Sequence, residues 1–396
     1  MSNTNPAADS RLSRDELRFI GRLSIVSISR MFGLFMVLPV LALWADDFAN
    51  ATPLLVGIAV GGYGVTQAAL QIPYGALSDR IGRPAVIVFG LSVFLVGSVL
   101  AATASGIWGV ILGRLLQGAG AVSATLSAWL ADRTRPSVRT PAMAIFGASI
   151  GASFLLALVF GPLVSALTGV RGVFWVSAAL GLLGVVLVLP DLFDKQSRRP
   201  AVQHRPKWDW RVLTRRDLLT LDLAILILHA LLTAFFVLAP YLLAGRLGFP
   251  ENQLWKVYAI TLALSLPIAI PMIALDRRGS AQFTIGALAL LMAGLALLWL
   301  SASVLASAGG CCLFFAGFSY LEASLPAEMS RRADPTQRGA CLGLFSSAQF
   351  FGAFVGAALA GLFLDTSGAE AGIMTLLAVV FAWLLMSGVK TLRSSA

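Results

Sequence analysis

Long uncharged stretches alternate with short polar ones along almost the whole chain. Residues 54 to 74 carry no charge, nor do residues 84 to 113, while the turn between them holds Asp79, Arg80 and Arg83. A membrane-crossing helix needs about 20 apolar residues. On that measure the pattern predicts twelve spans, at 20–44, 54–76, 84–103, 107–131, 141–167, 172–190, 218–243, 253–275, 282–303, 305–329, 339–364 and 370–391. A polar tail precedes them over 1–18, and 393–396 forms a short tail after them. The longest polar segment, 191–216, contains Pro200, Pro206 and eight basic residues. The expected organisation is a six-helix bundle over 19–190, a linker over 191–216 and a second six-helix bundle over 217–392. The fold class is all-α, integral to the membrane.

Composition agrees and adds an orientation. Charged residues make up 12% of the chain and mean hydropathy is +0.85, whereas soluble domains are about a quarter charged. Of 29 Lys and Arg, 24 fall on one side of the predicted spans. Only Arg171, Arg246 and Lys256 fall on the other, and Arg30 and Arg114 lie within spans. Positive charge stays in the cytoplasm, so both termini are expected inside. This bias accounts for the net charge of +10 without a nucleic-acid partner. Cys311, Cys312 and Cys341 lie in or at spans and read as small buried hydrophobes. The N-terminus, with Asp9, Asp15 and Glu16 among its arginines, lacks a signal peptide's pattern. Span 1 is expected to act as an uncleaved insertion signal.

The halves repeat. Phe35-Met-Val-Leu-Pro39 is echoed by Phe235-Phe-Val-Leu-Ala-Pro240, and Asp79-Arg80-Ile-Gly82 by Asp276-Arg277-Arg-Gly279. Asp132 through Arg139 is echoed by Arg331 through Arg338. The offsets, about 200 residues each, stay in register, as in a duplicated six-span unit.

The turn Gly75-Ala-Leu-Ser-Asp79-Arg80-Ile-Gly82-Arg83 resembles the signature of the major facilitator superfamily between its second and third helices, Gly-x-x-x-Asp-Arg-x-Gly-Arg. All five positions match. The resemblance implies two pseudo-symmetric halves rocking about a central cavity. It also implies a monomeric transporter in the bacterial inner membrane, binding a small molecule and protons, with a proton gradient in place of a cofactor. In that family the motif Asp, here Asp79, faces a second-half helix, and the arginine at Arg83 pairs with an acid ending span 4, where Asp132 stands. Asp79, Arg80, Arg83 and Asp132 are therefore expected to form a gate latch of the outward-open state, with Asp276, Arg277 and Gly279 as its second-half echo. Arg114-Leu-Leu-Gln117-Gly118-Ala-Gly120 resembles a second family motif, associated with proton coupling in drug antiporters. The alternative for Arg114 is a scaffold arginine beside a small-residue face. Span 5 holds Gly147, Gly151 and Gly161-Pro162, retaining only the Gly-Pro core of an antiporter motif; helix packing around a proline kink reads equally well.

Charges in hydrocarbon cost at least ~2.5 kcal/mol each. Arg30 lies about eleven residues into span 1, roughly 16 Å deep. It suits a fixed countercharge, since arginine does not usefully deprotonate; the alternative is a structural arginine tied to carbonyls or a carboxylate. Glu322 is the one carboxylate placed clearly inside a span. Burial disfavours a charged carboxyl, which suits proton loading, and a constant ion pair is the alternative. His229 lies at nearly the depth of Arg30 and suits proton transfer, or plain hydrogen-bonded packing. The expected cavity lining is Phe35, Met36, Gln67, Gln71, Phe235 and Tyr241.

Met31-Phe-Gly-Leu-Phe-Met-Val-Leu-Pro, Gln67-Ala-Ala-Leu-Gln-Ile-Pro and Tyr320-Leu-Glu-Ala-Ser-Leu-Pro look like the YajR-type branch of drug and metabolite efflux proteins. That branch carries a soluble domain after helix twelve. This chain stops at Ala396, so regulation by such a domain is not expected to carry over. The expectation is proton-driven efflux of lipophilic drugs or metabolites. The alternatives are a carrier of one metabolite, sugar or lipid precursor, and a non-transporting sensor or scaffold. No catalytic constellation appears, and no metal site is expected.

Overall fold

The computed structural model describes residues 12–42, 47–194, 210–250, 253–276, 280–334 and 337–395. The helices are α1 (Arg14–Phe35), α2 (Pro53–Ile81), α3 (Arg83–Thr103), α4 (Ile107–Ala119), α5 (Ser123–Arg133), α6 (Arg139–Val188), α7 (Trp210–Leu213), α8 (Arg216–Pro240), α9 (Leu254–Leu275), α10 (Ala281–Leu300), α11 (Val304–Arg332), α12 (Arg338–Thr366) and α13 (Gly368–Ser395). Ten described helices are long and apolar enough to cross a membrane. One of them is a 57-residue run that turns back at Gly169 (φ 70°) and so crosses twice. α1, more polar, supplies the remaining pass, its chain continuing as buried turns through Ala42. Twelve passes result.

Local chemistry sets the ends. Ser13 and Glu16 form a capping box on α1. Thr52 caps α2, with Pro53 opening it. Gly82, at φ 95°, ends α2 and begins α3 in one residue, a conformation that L side chains resist. Span 4 is broken, α4 giving way to α5 across Gly120–Val122.

α1, α3 and α6 pack together in the first half, as do α9, α10 and α11 in the second; α12 joins the halves by lying against α2. The joint is a stripe of small residues, which lets backbones approach closely. A Cβ at Gly57, Gly61 or Gly64 would collide with backbone of Ala357, Phe354 or Phe350. Leu54 N donates to Asp365 Oδ2 (3.4 Å) near the outer face, and Ser347 Oγ to Ala68 O (3.0 Å) further in. Toward the cytoplasm the same stripes lose contact: around Gly75 and Gly339 an added Cβ meets nothing within 4 Å. Gly147 and Gly151 of α6 are equally open. One to two turns further along α6, Phe154 meets Phe318 of α11, with ring centroids 6.1 Å apart. The halves touch along the outer part of α2 and α12, and open space lies beside the glycines at the cytoplasmic ends of α2, α6 and α12.

Candidate functional site

In the second half, three polar side chains from three spans meet at mid-membrane depth. Gln349 Nε2 of α12 donates to His229 Nε2 of α8 (2.9 Å) and to Glu322 Oε1 of α11 (3.1 Å). His229 Nδ1 faces Ile225 O at 3.3 Å. With the ring proton on Nδ1, donated to that carbonyl, Nε2 is left as the acceptor Gln349 requires. Glu322 Oε2 lies 3.5 Å from the same Nε2, buried and otherwise unpartnered. Two acceptors facing each other repel unless a proton stands between them. The remainder of the Glu322 side chain is open, at 36% exposure. Phe318 packs its ring on His229 (5.8 Å) and continues through Phe154 to Phe35 (5.1 Å), so an aromatic row crosses from one half to the other beside the acid.

The first half holds two fully buried arginines. Arg114 is tied to backbone: Nε donates to Ala59 O (3.2 Å), Nη1 to Leu34 O (3.2 Å) and Gln117 Oε1 (2.7 Å), and Nη2 to Val60 O (3.0 Å). Its guanidinium also lies over the Tyr63 ring at 4.6 Å. Arg30 has only neutral side-chain partners: Gln67 Oε1 (2.8 Å), Ser123 Oγ (3.2 Å) and Met31 Sδ (3.7 Å).

At the cytoplasmic end, Arg83 gathers the signature turn. Its Nε donates to Asp132 Oδ2 (3.0 Å), and Nη1 reaches Asp79 Oδ1 (2.6 Å) and Ser78 Oγ (2.6 Å). The chain matches the model of the Major Facilitator Superfamily over residues 23–357. It belongs to the major facilitator superfamily.

The inner membrane transport protein YajR of Escherichia coli K12 is 39% identical over 359 residues, covering 89% of this chain and 79% of YajR. The multidrug resistance protein MdtL of E. coli is 26% identical over 226 residues, covering 56% of this chain and 57% of MdtL. Among solved structures, a bacterial homolog of the human lysosomal transporter Spinster, inward-facing and occupied, superposes with a TM-score of 0.74 at 13% identity, covering 97% of this chain and 98% of that one. The protein is thus a multi-span membrane transporter of the superfamily and not an enzyme.

Several expected site residues have other surroundings. Phe235 and Met36 are fully buried rather than lining an open wall. Phe235 stacks on Phe314 (4.3 Å) and meets Phe236 and Phe315 within its own half, while Met36 backs onto Gly161. Gln67 is spent on Arg30, and Gln71 is buried with Oε1 unpartnered. Tyr241 stands in a π-helical turn at the outer end of α8. The tight glycine packing expected along span 5 holds at Gly161, with buried Pro162 following, but not at Gly147 or Gly151. The partner given to Asp79 is Arg83 of its own half. Asp276 accepts from Ser280 N (2.7 Å) and from the Tyr320 hydroxyl. Arg277, Gly279 and most of the expected linker lie outside the described residues. Arg80 is exposed.

Two residues escaped the sequence reading. Gln349 is the one amide within α12, a weaker form of the buried-polar signal that pointed to Glu322. Asp222, only 8% exposed within α8, is a second carboxylate inside a span, where Glu322 was expected alone.

Proposed function

We propose that the protein is a monomeric proton antiporter of the bacterial inner membrane that exports lipophilic drugs or metabolites by alternating access. The observation that carries this reading is the Glu322–His229–Gln349 cluster. A carboxyl oxygen held 3.5 Å from an imidazole nitrogen that already accepts from Gln349 accommodates one proton well and none poorly. Loading that proton lets the Glu322 hydroxyl compete with the Gln349 amide for the single lone pair of His229 Nε2. Releasing it leaves a carboxylate beside the Phe35–Phe154–Phe318 row, an apolar wall with one charge. Loading and release thereby favour different occupants of the same place. The open space beside the cytoplasmic ends of α2, α6 and α12 is where a compound would enter from inside the cell, and the similarity to MdtL, named a multidrug resistance protein, supports export. In this reading Asp79, Arg80, Arg83 and Asp132 serve the gate, and Arg114 holds spans 1, 2 and 4 together.

The test uses purified protein in liposomes enclosing a pH-sensitive dye, with an imposed proton gradient and a panel of lipophilic cations and metabolites. Substrate-triggered proton movement in the wild type and its loss in Glu322→Gln are expected. Equal movement in both would remove Glu322 from coupling. A second reading, a proton-coupled carrier of one acidic metabolite, is favoured by Arg30, whose charge faces only neutral groups. Responses confined to organic acids in the panel would select it.

A further inference from the structure

We propose that the first half carries an anion site, built from Arg30, Gln67 and the amino end of α5, that takes a small monovalent anion, chloride or a carboxylate. Three independent features converge there.

The first is the break in span 4. α5, eleven residues long, begins at Ser123 in the interior of the membrane, after a corner where Val122 N bonds Gly120 O (2.8 Å). The helical ladder resumes with Leu126 N to Val122 O (2.9 Å). The N–H groups at Ser123, Ala124 and Thr125 precede it, and Val122 offers no side-chain cap. This is the positive end of a helix, in the setting where discontinuous membrane helices meet anionic groups.

The second is Arg30, which places a full positive charge against that end through Ser123 Oγ (3.2 Å). It is 1% exposed, and no described carboxylate lies within ion-pair distance of it. Arg30 Nε and Gln67 Nε2 are both buried donors without a partner. Arg114, by contrast, has every guanidinium nitrogen engaged by carbonyl or amide oxygen. A buried cation next to a helix's positive end is costly unless negative charge joins it.

The third is the internal repeat. At the register of the echoes, Arg30 corresponds to His229 and Ser123 to Glu322, within one residue. The same contact, first span to fourth, occurs once in each half: Arg30 to Ser123 in the first and His229 to Glu322 in the second. The second half supplies its own carboxylate there, and the first half has a serine. A bound anion would stand where Glu322's carboxylate stands in the repeat, accepting from Arg30 Nε, Gln67 Nε2 and the first turn of α5.

The experiment measures the melting temperature of the purified full chain in detergent at constant ionic strength, replacing bulky sodium gluconate with sodium chloride or sodium acetate. A saturable rise of several degrees is expected in the wild type. A rise with chloride identifies an inorganic ion, and a rise with acetate alone identifies a carboxylate such as a substrate would bring. Arg30→Gln should lose the saturable response. Ser123→Glu, which copies the repeat's acid, should melt in gluconate as high as the wild type in chloride and gain nothing from the exchange. Identical melting of the wild type in all three salts overturns the site, as does a full saturable rise retained in Arg30→Gln.

Discussion

The two halves place a polar pair at the same position and fill it with different chemistry. Between its first and fourth spans the first half sets Arg30 on Ser123, and the second sets His229 against Glu322. A guanidinium holds its proton throughout, so the first pair is a constant charge. An imidazole and a carboxyl can pass a proton between themselves and water, so the second pair can change charge during a cycle. Duplication preserved the geometry of the contact while the two sides divided fixed and transferable charge between them.

The largest expected effect separates the two arginines. Arg114→Ala removes a side chain anchored to three backbone carbonyls and leaves a cavity, which should cost about 3 kcal/mol or more of stability. Arg30→Gln removes an uncompensated charge and should cost clearly less. Thermal unfolding in detergent checks both, and equal losses would erase the distinction. Next comes the pair of glutamines. Gln349→Leu deprives His229 Nε2 and Glu322 Oε1 of their shared donor and should shift the pH profile of substrate-driven proton movement. Gln67→Leu, acting on a group that does not titrate, should lower activity without moving the profile.

A smaller effect concerns the cytoplasmic turns. Arg83 bridges two spans of the first half through Asp132, whereas Glu328 and Arg331 pair within one helix. Such pairs contribute at most about 1 kcal/mol to stability, so transport is the better readout. Arg83→Asp and Asp132→Arg should each impair it, and the combined reversal should restore part. Reversing Glu328 and Arg331 should leave transport unchanged.

The smallest effect lies on the cytoplasmic side of span 1. The Arg135 side chain first, then the Ser13 backbone N–H, hold the Glu16 carboxyl at about 2, below its ordinary 4.5. The folded state therefore binds this proton less readily than the unfolded chain. The pair's contribution is complete above about pH 4.5 and fades as pH falls toward 2. Glu16→Gln should flatten that part of a stability-against-pH curve, lowering the neutral region modestly while leaving the acid end below about pH 2 nearly unaltered.

Most of the architecture was legible because hydrocarbon demands long apolar runs and the membrane sorts positive charge. The Arg83–Asp132 pair was legible because the superfamily signature carries it. Which way a span faces was not. From Ala234 to Pro240 α8 is apolar on every side, since lipid and protein interior reward the same residues, so nothing in Phe235 distinguished a cavity wall from the stack it forms with Phe314. The break at Gly120–Val122 carries no proline and no charge to mark it, and Gly118 and Gly120 beside it read as packing residues. Gln349 was visible as a lone amide, but its importance depends on meeting His229 and Glu322 from two other spans.

The glycine stripe between α2 and α12 has a thermodynamic consequence for the outer gate. Glycine and alanine have no rotamers to lose, so closing this seam freezes almost no side-chain entropy and opening it releases almost none. What holds it is backbone against backbone, through many shallow dispersion and Cα–H···O contacts. Such a seam has few side chains to disengage, Tyr63 on Phe350 and the Asp365 and Ser347 hydrogen bonds among them. In the proposed cycle it would part and re-form at little cost in either direction, leaving the balance between its two states to whatever occupies the middle of the membrane.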